Sequence, residues 1–284
     1  MRNDTDHTHF DDIKELKIYA LELDTSGDHD VFRRLLVYLS TQKCRRAQSH
    51  SCVVKQKGFP YHKLDEVLRV AFPQDERDGA EGPRYDLLRD HPESLDHYLG
   101  LMSELGPRNT PHRFTQREQR LAYLLNAYTA GFLALIRDAC PIESVDQPYW
   151  FGGIFWRVSL RVGGEDVSLN DIASEINSLM LGDQRAFLAL HKGYQSDLPM
   201  RRRAWTPEEV REGFNELEAQ ILAPPFVQRE GDTLKLNVIF KWYQHYFQPH
   251  PKGYLKVRRP ELVKGIKNIV FMEADRSLQG RCHL

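Results

Sequence analysis

The chain has no apolar run approaching the ~20 residues that a membrane-crossing helix needs. Its opening residues, MRNDTDHTHFDDIKEL, lack the basic-then-apolar order of a secretory leader. A cytoplasmic protein without a membrane partner is the expectation. An excess of one charge is also absent. The 39 basic side chains face 40 acidic ones, so net charge exerts no pull toward nucleic acid, which is not expected as a partner. Cysteine is scarce: Cys44, Cys52, Cys140 and Cys282 are scattered and form no C-x-x-C pair. That spacing argues against a cysteine-rich zinc site and against a disulfide framework, and predicts reduced thiols. His7 and His9 lie in a polar terminus and read as frayed chain, so neither metal nor cofactor is expected. Internal repeats and low-complexity tracts are missing too.

What is present is an ordinary globular composition, 41% hydrophobic and 28% charged over 284 residues. The most strongly patterned stretch is Thr115–Asp138, where Leu121, Leu124, Leu125, Tyr128, Phe132, Leu135 and Ile136 recur at helical spacing. One broad face of that helix must be buried. Thr115 and Glu118 have the T-x-x-E form of a capping box at its start, and Cys140-Pro141 marks its end, because proline cannot continue the hydrogen-bond ladder.

Two helical patterns fill Phe10 to Lys43, and Tyr61–Phe72 offers a further short helix. The charged, Gly- and Pro-rich stretch 73–82 reads as a linker, placing a boundary near residue 80. Arg84–Gly106 carries one helical register. Beyond Pro141 the pattern alternates: Phe155–Val162 predicts a strand, Gly163-Gly164 a turn and Glu165–Val167 the returning strand. Ser168 with Asp171 opens a helix over 169–181, and Thr206-Pro207-Glu208-Glu209 opens another that runs to Leu222. A second hairpin is expected at Phe226–Leu236 around Gly231-Asp232, then an aromatic helix over Val238–Phe247 and a final helix over Pro260–Glu273. The fold class is therefore α+β: a helix-rich domain around short antiparallel hairpins, with an added N-terminal helical segment. The expected divisions are 1–80, 81–250 and a C-terminal helical extension over 251–284.

Several separated segments, in order, resemble the domain of unknown function number 547 family. They are YDLLRDHPESLDHYL at Tyr85–Leu99, Leu125-Asn126-Ala127-Tyr128 in the long helix, FWRVSLRVGGEDVSLNDI, FLALHKGYQSDLPM at Phe187–Met200, and LKLNVIFKWYQHYF. The match runs from about residue 82 to 248. Members often carry D-I-E-H in the middle helix and a pattern close to A-L-N-C-x-x-x-S-C-P-P after it. Some are viewed as similar to papain-like cysteine hydrolases, in which an imidazole activates a thiolate and a carboxylate orients the ring. Here Asp171-Ile172 is followed by Ala173-Ser174, and the two cysteine positions hold Lys192 and Asp197. The resemblance thus implies a scaffold without its thiol, imidazole and carboxylate, and no catalytic residue is assigned.

Ala173, Ser174, His191, Lys192, Ser196 and Asp197 make up the degenerate site that the resemblance implies. Asn126 and Tyr128 are candidates for lining the old cleft, although Tyr128 also lies on the apolar stripe. Arg201-Arg202-Arg203 with Trp205 offers guanidinium forks and a stacking face for an acidic partner, against the alternative of a solvated loop. Cys140 reads as a buried small residue, since a helix C-terminus would raise a thiol's pKa. The expected function is binding of a protein or peptide partner by a catalytically inactive relative of that family. The alternative is a hydrolase with a relocated constellation near the 187–205 loop.

Overall fold

The structure, a computed structural model, describes residues 58–73, 82–148, 153–180 and 183–282. The helices expected between Phe10 and Lys43 and the boundary near residue 80 lie outside the described residues. The chain runs through α1 (Lys63–Ala71), α2 (Tyr85–Asp90), α3 (Glu93–Glu104) and the long α4 (Arg117–Ala139). A hairpin follows, β1 (Ser159–Val162) with β2 (Glu165–Ser168), then α5 (Leu169–Leu179) and α6 (Val210–Ile221). Next come β3 (Val227–Glu230), β4 (Thr233–Leu236), α7 (Ile239–Trp242), α8 (Pro251–Arg258), α9 (Pro260–Val263) and β5 (Asn268–Phe271). The protein is α+β.

α4 is the axis of the core. Leu121, Leu125, Tyr128, Phe132, Leu133 and Ile136 are all buried, and the apolar cluster they join extends from Phe59 and Leu64 of the first described segment to Leu278 and Cys282 at the other end. Each large side chain removed from water there contributes roughly 1.5–3 kcal/mol. Gly131 lets β1 pack close against this helix: a Cβ at that position would lie 2.3 Å from Leu160 Cδ1, which would have to move aside. The start of the helix differs from the Thr115–Glu118 reading. Gln116 is the N-cap, and its N–H donates to Gln119 Oε1 at 3.0 Å. Glutamine can do what the T-x-x-E form does, one position later. The end at Cys140 is as expected.

Both hairpins form where Gly marks them. Gly163 and Gly164 (φ 57° and 85°) turn β1 into β2, and Gly231 (φ 60°) turns β3 into β4. The Ser168–Asp171 capping box opens α5: the Asp171 N–H donates to Ser168 Oγ at 3.1 Å, and the Ser168 N–H to Asp171 Oδ2 at 2.8 Å. Other expectations are corrected. Arg84–Gly106 is two helices, broken at His91-Pro92 because proline disfavours a helical residue before it. The helix placed at Pro207–Leu222 begins only at Val210, and the aromatic helix over Val238–Phe247 keeps regular form only at Ile239–Trp242.

The final helix is α9 alone. Gly265 (φ 76°) ends it, and Ile269-Val270-Phe271 pair with β4 as a strand. That pairing is parallel, so the second sheet has the order β3-β4-β5 and is mixed. Reduced thiols are corrected as well: Cys140 and Cys282, 142 residues apart, form a disulfide with Cα atoms 5.3 Å apart. No described helix is long and apolar enough to cross a membrane.

Candidate functional site

The segment His191–Trp205 lies against α4 and is fastened to it at both ends. Tyr128 Oη donates to the His191 carbonyl at 3.0 Å. Asn126 Nδ2 donates to the Trp205 carbonyl, and the Trp205 N–H to Asn126 Oδ1, both at 2.8 Å. Asn126 and Tyr128 are buried. These candidates for lining a cleft hold the wall of the site in place.

Between the fastenings the chain folds on itself around Asp197. Gly193 (φ 86°) makes the turn, and Asp197 Oδ2 accepts the N–H groups of Lys192 at 2.9 Å and Tyr194 at 3.0 Å. Burial raises the Asp197 carboxyl to about 6, against the pull of those N–H donors and of the Lys192 charge. Burial also pushes the His191 imidazole down to about 4, so the ring is neutral at pH 7. Its Nδ1 stands 3.9 Å from Asp197 Oδ2, beyond hydrogen-bond reach. Its Nε2 is buried without a partner among the described residues, and the ring stands edge-on to Phe132 with centroids 5.4 Å apart. The Lys192 ammonium, whose pKa burial lowers, lies 4.6 Å from the centre of the Phe155 ring.

The other residues expected at the site complete no relay among the described residues. Ser196 Oγ accepts the Asp275 N–H at 2.7 Å. Ala173 is buried on α5, and Ser174 faces solvent with its hydroxyl donating to the Asn170 carbonyl at 2.8 Å. No hydrogen bond joins His191, Ser196 and Asp197 side chains to one another among the described residues. The cavity bordered by Leu190, His191, Lys192, Asp197, Ile239 and Tyr243 is about 20 Å³. That volume holds about one water, far below the ~300 Å³ at which ligand pockets begin.

The basic run is largely neutralised from within. Arg201 lies over the Trp205 ring at 4.5 Å and pairs with Glu216 at 2.9 Å and Glu209 at 3.3 Å. Arg203 reaches the same two acids at 2.6 and 3.2 Å. Arg202 covers Phe72 at 5.0 Å. Trp205 itself is buried, so it offers no exposed stacking face.

A second opening went unseen in the sequence. A cleft of about 400 Å³ is bounded by Arg185, Phe187, Leu188, Tyr246, Tyr254 and Arg258. Phe187 and Leu188 also border the small cavity, so the two share a wall. Phe187 stacks on Tyr246, with centroids 4.6 Å apart and planes 6° apart. Asp183 takes a two-pronged hydrogen bond from Arg185 at 2.9 and 2.6 Å, and Glu218 takes one from Tyr254 Oη and pairs with Arg258 at 3.1 Å. The basic tract 252–259 with Tyr254 was the available signal, but its partner residues lie far away in the chain. No group of three or more His, Cys, Asp or Glu side chains stands ready to hold a metal among the described residues. The chain matches no protein-family model, no curated protein and no solved structure.

Proposed function

We propose that the protein is a catalytically silent relative of the cysteine-hydrolase-like family named above, and that it binds a protein or peptide partner. The observation that carries this reading is the use made of the two positions matched to the family's cysteines. Asp197 spends its carboxylate on the backbone N–H groups of its own loop, and Lys192 lies over Phe155. Both serve the loop's shape. The binding face is the neighbouring cleft, whose stacked Phe187 and Tyr246 give a floor for an apolar side chain and whose paired charges of both signs suit the polar groups of a peptide. The Cys140–Cys282 disulfide fits an oxidising compartment or, in the cytoplasm, a redox-sensing pair.

The rival hydrolase draws on the 3.9 Å approach of His191 to Asp197, but the Ser196 hydroxyl accepts the Asp275 N–H and, among the described residues, bonds to neither. Serine- and cysteine-directed electrophilic probes, with ester and peptide substrates, separate the two. Neither labelling nor turnover is expected. Stoichiometric labelling within residues 187–205 would establish the hydrolase instead. Peptides selected from a displayed library should lose affinity at least tenfold against Tyr246→Ala and be unaffected by Val257→Ala; equal binding to both variants would remove the cleft from the proposal.

A further inference from the structure

The last described residues lie along the edge of the His191–Asp197 loop. The Asp275 carbonyl accepts the Ser196 N–H at 3.2 Å, and the Asp275 N–H donates to Ser196 Oγ at 2.7 Å. The Ser277 carbonyl accepts the Gln195 N–H at 3.0 Å, and the Gln279 N–H donates to the Gly193 carbonyl at 2.7 Å. Tyr194 and Leu278 form an antiparallel bridge. Farther along, the Leu278 N–H reaches the Glu143 carbonyl at 2.7 Å and the Arg281 N–H the Pro83 carbonyl at 2.8 Å. Gly280 passes so close to the chain before α2 that a Cβ there would lie 2.3 Å from the Pro83 carbonyl oxygen. Arg276 completes the cover, with its guanidinium 5.9 Å from the Tyr194 ring centre, 5.7 Å from that of Trp242 and 3.5 Å from Asp146.

This segment has no helix or long strand of its own. It is an extended strap whose backbone groups are satisfied by the loop beneath it, and its far end is tied covalently to the end of α4 through Cys282 and Cys140. Cys282 is buried and Cys140 only partly so, which leaves the α4 side as the approach for a thiolate.

We propose that Asp275–Cys282 is a redox-controlled latch on the His191–Asp197 loop. While the disulfide stands, the strap occupies the loop's edge as a bound extended peptide would. A dithiol reductant of the thioredoxin type attacks Sγ of Cys140, giving a mixed disulfide and a Cys282 thiolate that takes up a proton. The reductant's second thiol then displaces the Cys140 thiolate, which is protonated in turn. The protein disulfide is reduced to two thiols and the reductant is oxidised to its own disulfide. The strap then depends on hydrogen bonds alone, and its departure uncovers the Gln195 and Ser196 N–H groups, the Gly193 carbonyl and the rings of Tyr194 and Trp242.

The test is hydrogen exchange, read by mass spectrometry on the full chain before and after native reduction with a thioredoxin-type dithiol protein, with Cys282→Ser as a second reduced form. Completeness of reduction is read from the mass added by alkylation. Peptides covering 191–200 and 274–282 should exchange about tenfold faster once reduced, while peptides from α4 keep their protection. Unchanged exchange at full reduction overturns the latch. So does equal acceleration throughout α4, which would make the disulfide a staple for the whole fold. Free thiols at both positions in protein isolated without reductant overturn it too.

Discussion

Asn126 and Trp205 hold each other by two hydrogen bonds of 2.8 Å, the amide side chain on α4 pairing with the backbone of a residue 79 positions away as a neighbouring strand would. Both residues are buried, so water cannot replace either bond. Asn126→Ala therefore leaves a backbone N–H and a carbonyl unpaired in the interior, and a loss of about 2–4 kcal/mol is expected. Asn126→Asp keeps the acceptor but sets a carboxylate against the Trp205 carbonyl, and should cost more at pH 7. Urea unfolding checks both: the midpoint should fall with the slope unchanged.

That pair marks the line between what local sequence reveals and what it conceals. The Ser168–Asp171 box, the Gly163-Gly164 turn and the Gly231-Asp232 turn lie within a few residues of their partners, and each formed as read. β5 did not, because Asn268–Phe271 becomes a strand only by pairing with β4, across three intervening helices. The disulfide and the C-terminal strap escape local reading for the same reason. Among the candidate residues, Asn126, Tyr128, His191, Lys192, Asp197 and Trp205 do belong to one structural unit, but their polar atoms mostly turn inward to fasten it. Ser174 keeps its hydroxyl on its own helix. Residue type was legible; the direction in which each side chain spends its hydrogen bonds was not.

The pair His191 and Asp197 should betray itself in the pH dependence of stability. Burial raises the folded-state Asp197 pKa from 3.8 to about 6, so the folded protein holds that proton where the unfolded chain has lost it. Its contribution to stability falls as pH rises through that window. His191 is lowered from 6.5 to about 4, so the unfolded chain holds more protons there and its contribution rises over nearly the same window. The two slopes oppose each other. Asp197→Asn keeps an oxygen for the Lys192 and Tyr194 N–H groups and removes the ionisation. The variant should gain about 1–3 kcal/mol above pH 7 and show stability rising with pH between about 4 and 6. Denaturation midpoints measured across that range supply the check, and a variant curve parallel to the parent's would refute the assignment.

Two glycines of positive φ give a graded comparison. Gly193 has φ 86°, and a Cβ there would lie 2.7 Å from Phe132 Cζ and 2.8 Å from Val145 Cγ1. Gly231 has φ 60° with nothing within 4 Å. Gly231→Ala should cost only the left-handed penalty of about 1–2 kcal/mol. Gly193→Ala adds the displacement of two core side chains and should cost at least about 1–3 kcal/mol more. Paired thermal melts of the two variants read the difference directly.

Arg201 and Arg203 share Glu209 and Glu216 but differ in surroundings. The Arg201 side chain is 10% exposed and covers Trp205, whereas that of Arg203 is 48% exposed. Arg203→Ala removes a screened surface pair and should change stability by less than about 1 kcal/mol. Arg201→Ala strips the cover from an aromatic core residue and should cost about 2 kcal/mol or more. Equal effects in chemical denaturation would mean that the stacking on Trp205 contributes nothing.

The disulfide makes the largest demand. Cross-linking positions 142 residues apart removes much of the unfolded chain's freedom, and the loop-closure estimate for that length is about 5 kcal/mol. The double variant Cys140→Ser, Cys282→Ser should fall short of that figure, because residual order in the unfolded chain reduces the entropy gained. A loss of about 2–4 kcal/mol is expected, measured against the oxidised parent, with the reduced parent unfolding at nearly the same denaturant concentration as the variant. Coincidence of those two midpoints assigns the loss to the covalent link, and a variant markedly weaker than the reduced parent would assign it to poor packing of the introduced hydroxyls.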